Sequence, residues 1–371
     1  MQQKLFGKKI DIFQREELFH KMNAAQLSDE QRFLAVQRLT ALWAFSESGM
    51  GGVLHALQVP FTGLIVGGAA IILITFISYF SSKPFSQLLH SLIIVLAVKA
   101  TVSPHTPFPA YIAVSFQAFL GFVLFNLLHV NLLSILLLSV LAMIESAIQK
   151  ILVLTFFFGK SIWKAADELV NFVTMQFSFF TSKGSLWIMS LYLFIYCMGG
   201  VFIALMTNRL IKRFSKEANT SFSIYPLNTN EPMQIIKKGR DKKLLNIVLV
   251  LISISIILFL FKANTQAGLI SVLRAFCWTL SAILIWYTII TPLLTKIIVW
   301  VLKKKQDQYS KQINATLSFL PILNQLTFQA WKASAVNKGW RRISIFLFTL
   351  INWSLVYSDS SAEPDFINKK P

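Results

Sequence analysis

Leu132–Leu141 reads LLSILLLSVL and Ile71–Phe80 reads IILITFISYF, with no charge and no period-two alternation in either. Each belongs to a longer apolar stretch, and such stretches recur at about 61–80, 86–102, 108–128, 131–158, 185–207, 244–262 and 269–301. Runs of about 18 or more apolar residues are the length a bilayer core demands. Inside lipid the backbone must satisfy its own hydrogen bonds, which leaves helices or a closed barrel. A barrel strand alternates its two faces, and these runs do not, so the spans are helices. The charged fraction is 14%, well under the quarter that soluble domains carry. The fold class expected is therefore all-α: a polytopic helical membrane protein of about 8 transmembrane helices (7–9), with interfacial amphipathic helices.

The net charge of +19 would point to nucleic acid in a soluble chain. Here the basic residues gather in the polar connections, which the positive-inside rule explains with no nucleic-acid partner. Residues 208–243 hold nine basic and three acidic residues, and 303–342 hold eight and one, so both are expected in the cytoplasm. Two spans between them agree with that. A cytoplasmic N-terminus then requires an even number of spans before residue 208. The interrupted apolar segment at about 38–57, despite Glu47, supplies the sixth; the alternative makes 86–102 and 108–128 half-helices of one re-entrant hairpin.

The expected organisation is an N-terminal cytoplasmic segment (1–37), a six-helix module with a polar pocket (38–207) and a basic loop (208–243). A two-helix hairpin (244–302), a basic cytoplasmic segment (303–342) and a short terminal helix and tail (343–371) follow. Ser28 and Gln31 have the spacing of a capping box at a helix start. Ser161 to Phe180 sets Ile162, Leu169, Val173, Phe177 and Phe180 at helical spacing, with Lys164, Asp167, Asn171 and Thr174 largely opposite, as in a helix lying on a membrane surface. The first 40 residues carry seven basic and five acidic residues and no continuous apolar region, unlike a signal peptide. The default location is a bacterial cytoplasmic (inner) membrane.

Ionisable and amide groups inside spans are costly and tend to face protein or water. The candidates are Glu47, His55, His90, Lys99, His105, Gln117, Glu145 and Arg274. Glu47 lies in a glycine-rich Glu-Ser-Gly-Met-Gly-Gly stretch, where a helix break exposes backbone groups to a ligand. Gly63 and Gly67 read instead as a packing face for a neighbouring helix. Lys99 precedes Thr101, Ser103, His105 and Thr106, and Pro104, Pro107 and Pro109 stop the helix there. That cluster suits a carboxylate or phosphate; the competing reading is a surface turn with Lys99 snorkelling to the interface. Gln117 shares a small-residue face with Ala110, Ala113 and Gly121, and serves either a ligand or a neighbouring helix. Glu145 is a functional carboxylate, or else pairs with Lys150 or Lys99 or sits protonated in an apolar site. Arg274 reads as an anchor at a helix end. The substrate-binding set is thus Glu47, Lys99, His105, Gln117 and Glu145. No metal-ligand spacing, phosphate loop or nucleophile elbow appears, so no catalytic residue, metal or cofactor is expected. Cys197 and Cys277 are too few for a disulfide framework.

Through Glu47–Gly52, Pro60-Phe-Thr-Gly63 and Ser103-Pro-His-Thr-Pro107, residues 38–207 resemble the integral membrane substrate-binding subunits of energy-coupling-factor vitamin transporters. The resemblance implies a six-helix binding module that works with a separate ATPase. The expected function is a substrate-binding or translocating subunit for a vitamin-like or anionic metabolite. Two other classes stay open. One is a membrane scaffold recruiting partners through its basic loops. The other is an enzyme acting on a lipid-linked substrate, with Glu145 or His105 as acid/base.

Overall fold

The computed structural model describes residues 27–51, 61–81, 83–103, 108–176, 183–216, 279–280, 285 and 291–357. Expectations for the spans at 244–262 and most of 269–301, for the terminal tail, and for His55, His105 and Arg274 lie outside these residues. All regular structure among the described residues is helical.

Helix α1 (Asp29–Phe45) starts at the expected box: the Gln31 N–H donates to Ser28 Oγ at 3.2 Å, and the Ser28 N–H donates to Gln31 Oε1 at 3.1 Å. It runs directly into a π-helical turn, Ser46–Met50. Next come α2 (Thr62–Phe80), α3 (Pro84–Val102) and α4 (Phe108–Leu128). The α4 turn passes His129 at φ 57° and reaches α5 (Leu132–Phe158), where Asn131 and Ser134 form a second capping box. Gly159 ends α5 at φ 60°, ψ −151°, a region open essentially to glycine alone, and the chain turns into α6 (Ser161–Met175). The remaining helices are α7 (Gly184–Lys216), α8 (Thr291–Ala333) and α9 (Gly339–Val356).

Among the described residues four helices, over 62–80, 109–128, 132–158 and 184–215, are long and apolar enough to cross a membrane. They do not have equal surroundings. In the most apolar window 72% of α2 is buried, against 22% of α7, so α2 is the central helix and α7 a peripheral one. Phe119 on α4, Leu152 on α5, and Trp187, Leu191 and Phe194 on α7 stand exposed, the outward apolar side expected where lipid replaces water. Inside, α2 meets α5 and α7 across its glycines. A Cβ on Gly63 would lie 3.5 Å from Tyr196 Oη, and one on Gly67 would lie 3.0 Å from Met143 Cε. The packing role read for these two glycines is the one they have.

Two segments differ from the sequence expectation. The 208–243 connection begins as helix, because α7 continues through Lys216; Leu210 and Phe214 pack inward, and the Arg213 guanidinium lies 3.9 Å from the Phe348 ring centre of α9. Most of the basic segment expected at 303–342 belongs to one 43-residue helix that passes through Pro321, about 65 Å of rise. Its second half is no peripheral connection: Phe319, Leu320, Leu323 and Ala330 join the same core as α1, α2 and α9. Arg38 fastens this junction, donating to the Tyr357 carbonyl at 3.1 Å with its guanidinium 4.4 Å from the Phe319 ring centre.

Helix α6 ends at Met175, and residues 177–182 lie outside the described set. Its apolar face is turned out: Leu169, Phe172 and Val173 are exposed, while the Asn171 Oδ1 atom is buried. Asp167 accepts the Ser185 N–H at 2.6 Å, at the start of α7, and Val170 presses on Gly184. A polar side toward protein and an apolar side outward is the arrangement of an interfacial helix. The backbone N–H of Ser185, aided by its side chain, holds the Asp167 carboxyl below its usual 3.8. A depressed carboxyl stabilises the docked state above its ordinary value and loses that effect as pH falls through the depressed one. The α6–α7 contact is therefore expected to be unchanged from neutral pH down to about 4 and to loosen below it. Collisional quenching of Trp163 fluorescence checks this; Asp167→Asn should show the loosened signal at every pH.

Candidate functional site

Glu47 is positioned by the π turn. A π turn carries one residue more than an α turn, so it disturbs the regular bonding of the helix and commonly marks a functional position. Here the Gly51 N–H donates to the Ser46 carbonyl, the Ser46 hydroxyl donates to the Trp43 carbonyl at 2.9 Å, and the Ser48 carbonyl accepts the Ser103 hydroxyl at 3.0 Å. The glycine-rich stretch thus re-forms helix through Gly51 instead of breaking at Glu47.

Helix α3 supplies the partner. α1 and α3 run parallel: Thr40 Oγ1 lies 2.7 Å from Ser91 Oγ, and two turns on the Lys99 ammonium meets Glu47 Oε2 at 2.6 Å. Both charged side chains are about 5% exposed. Lys99 occupies the last turn of α3, where unsatisfied carbonyls favour a cation, and its ammonium lies 5.9 Å from the Tyr111 ring centre on α4. Lys99 does not snorkel to a surface. Its charge is matched by Glu47, so neither group is left free for an anion.

Gln117 and Glu145 do not join this pair. Gln117 is buried on the α2 side of α4, its Nε2 3.2 Å from where a Gly67 Cβ would stand and its Oε1 without a partner. Glu145 is half-buried on α5 with Oε2 enclosed and unpartnered; it pairs with neither Lys99 nor the exposed Lys150. One turn on, Gln149 donates to the Pro109 carbonyl at 2.7 Å and ties α5 to the start of α4. His105 lies outside the described residues.

Sequence reasoning missed a cavity of about 240 Å³ between the first halves of α1 and α3 and the middle of α8. Of its twelve lining residues eight are polar, and none is a carboxylate, lysine or arginine. The Thr40–Ser91 hydroxyl pair forms its floor toward Glu47 and Lys99. His90 and Tyr309, with ring centres 5.3 Å apart, line it from α3 and α8. Gln37, Gln87 and Gln312 bring one amide from each helix, and the Gln87 Oε1 atom is buried without a partner. Exposed Phe33 marks the rim. The signal available in the sequence was the polar spacing Gln37–Thr40 and Gln87–Ser91 within otherwise apolar helices. Among the described residues no three His, Cys, Asp or Glu side chains converge as metal ligands. No protein-family model, no curated protein and no solved structure matches the chain, and its functional reading rests on this geometry.

Proposed function

We propose that the chain is the substrate-binding or translocating membrane subunit of a small-molecule transport system, and that the α1–α3–α8 cavity is where its solute binds. One observation supports this reading: a partly open cavity between three packed helices, with eight polar residues among the twelve that line it. Ligand sites are concave, few, and furnished with a small number of convergent polar groups. This reading sets the site apart from the expected carboxylate-or-phosphate cluster, because Glu47 and Lys99 pair with each other. Glu47 and Lys99 neutralise each other, and none of the described lining residues is a carboxylate, lysine or arginine, which favours a small uncharged solute. The ion pair, one step further along the same α1–α3 seam, positions the two helices that form the cavity.

In this reading eight spans cross a bacterial cytoplasmic membrane, with α1, α3 and the two segments at 244–262 and 269–301 added to the four helices above. A separate ATPase supplies the energy, as the resemblance to energy-coupling-factor subunits implies. The test is a thermal-stability screen of the purified full chain against a panel of neutral metabolites, run beside Ala315→Trp, which fills the cavity. At least one solute should raise the melting temperature of the wild type by several degrees and leave the variant unmoved. If no solute does so, or if the variant responds equally, the transport reading falls and the scaffold reading takes its place.

A further inference from the structure

The hairpin of α8 and α9 carries its charges where helix electrostatics disfavour them. Lys338 caps the start of α9, Arg341 and Arg342 stand in its first turn, and no acidic residue shares that turn. The N-terminal end of a helix is the positive end of its dipole, so each of these cations is placed at a cost. Lys332 joins them from the last turn of α8. The sequence from Gln308 to Ser358 holds no aspartate or glutamate to offset them. Two of the cations rest on rings: the Lys332 ammonium lies 4.4 Å from the Phe328 ring centre, and the Arg342 guanidinium 4.0 Å from that of Trp331. Lys338 and Arg341 are exposed.

The same tip is apolar. Phe328, Trp331 and Val336 are exposed, Val336 to 92%. Phe328, Trp331 and Lys332 follow at i, i+3 and i+4, on one face of α8. Exposed rings interleaved with cations are the composition of the membrane–water interface, where aromatic side chains settle at headgroup depth and basic ones reach outward to the phosphates. The position agrees with the composition. Trp340 packs edge-on against Phe202 of α7, within the apolar helix that is long enough to cross a membrane. About two turns further along α7 the exposed side chains become basic, at Arg209 and Lys212. The hairpin tip therefore lies beside the end of a spanning helix, near the level where its apolar band gives way to charge.

We propose that this tip binds the headgroup of an anionic phospholipid, in the leaflet at the basic end of α7. Lys332, Lys338, Arg341 and Arg342 meet the phosphate, and Phe328, Trp331 and Val336 enter the border of the acyl chains. A cluster of about four or more basic residues beside a spanning helix attracts anionic headgroups. The phosphate supplies the negative charge that the first turn of α9 lacks. An acidic protein is the competing occupant. Lipid is favoured because headgroups are present at this level whenever α7 crosses a membrane. The proposal is independent of what the α1–α3–α8 cavity binds.

The test titrates the purified full chain, in a neutral detergent, with short-chain phosphatidylglycerol, short-chain phosphatidylcholine and glycerol 3-phosphate, read by microscale thermophoresis. Phosphatidylglycerol should bind saturably, about tenfold or more tighter than phosphatidylcholine, and should weaken as salt rises. Lys338→Gln and Arg341→Gln should each weaken it about fivefold. Lys150→Gln, which removes an exposed lysine of α5, should leave it unchanged. The lipid preference and its salt dependence are measured on the wild type, so they decide the matter even where a variant folds poorly. Equal binding of the two phospholipids would overturn the proposal. So would phosphatidylglycerol binding that neither hairpin variant alters, or that Lys150→Gln weakens equally. Glycerol 3-phosphate binding as tightly as phosphatidylglycerol would overturn it in favour of a soluble phosphate. An acidic protein that co-purifies with the wild type and is lost from both hairpin variants, with no lipid preference, would overturn it in favour of a protein partner.

Discussion

Lys99→Ala is expected to destabilise the protein by about 3–5 kcal/mol, the largest single-residue loss outside the apolar core. The reason is what stays behind. Lys99 and Glu47 are each about 5% exposed, and they meet at 2.6 Å. Removing the ammonium leaves a carboxylate with no cation and little water, and an isolated buried charge costs far more than the pair gains over neutral groups. The double variant Glu47→Gln, Lys99→Met should therefore be much more stable than Lys99→Ala, within about 1–2 kcal/mol of the wild type, because it removes both charges and keeps the volume. Glu47→Gln alone should also be damaging, since it strands the lysine. Reversible unfolding in mixed micelles of the wild type, Glu47→Gln, Lys99→Met and their double variant, read as a double-mutant cycle, measures the coupling. Three single and double variants of equal, near-native stability would mean that water reaches the pair and that it does not fasten α1 to α3.

The helices were legible where one force sets them. Apolar runs fix α2, α4 and α5 almost to the residue, because burial in lipid and backbone self-satisfaction point the same way. The box at Ser28 and Gln31 was legible because capping is local. What sequence could not show was where polar helices go. The basic composition of 303–342 suits a cytoplasmic connection, yet α8 presents Phe319, Leu320, Leu323 and Ala330 to the core on one stripe. Counting charges along the chain averages over that stripe; the helical period separates it. Pro321 stands exposed within α8, and the helix runs through it.

For the site, sequence reasoning selected residues by rarity, and rarity finds charges. Glu47 and Lys99 were selected separately, and the structure joins them, which neither the spacing of 52 positions nor their chemistry could specify. The joining also removes the free cation that an anionic substrate would need. Gln37, Gln87 and Gln312 were passed over because an amide near the end of an apolar run is unexceptional one at a time. Their significance arises only when three helices bring them to one cavity, and that is a fact of tertiary packing.

Gly200→Val is expected to cost about 3 kcal/mol, and the argument distinguishes it from a glycine at another helix contact. A Cβ on Gly200 would stand 2.9 Å from both the Ser139 carbonyl oxygen and the Val140 Cα. Those are backbone atoms of α5, which cannot rotate away, so α7 and α5 must separate along their shared seam. Gly200→Ala meets the same obstacle with one carbon, but it gains about 1 kcal/mol in helix propensity, so its net cost should be about 1 kcal/mol. Gly68→Ala is the control. Its Cβ would lie even closer, 2.8 Å, to Ile203 Cδ1, yet that atom is the tip of a side chain with other rotamers. The propensity gain then competes with a small repacking cost, and the variant should lie within about 0.5 kcal/mol of the wild type. The order of stabilities, Gly68→Ala above Gly200→Ala above Gly200→Val, follows from which atoms are met and not from how near they are. An order in which Gly68→Ala is the most damaging would show that distance alone governs, and that α5 and α7 have room to part.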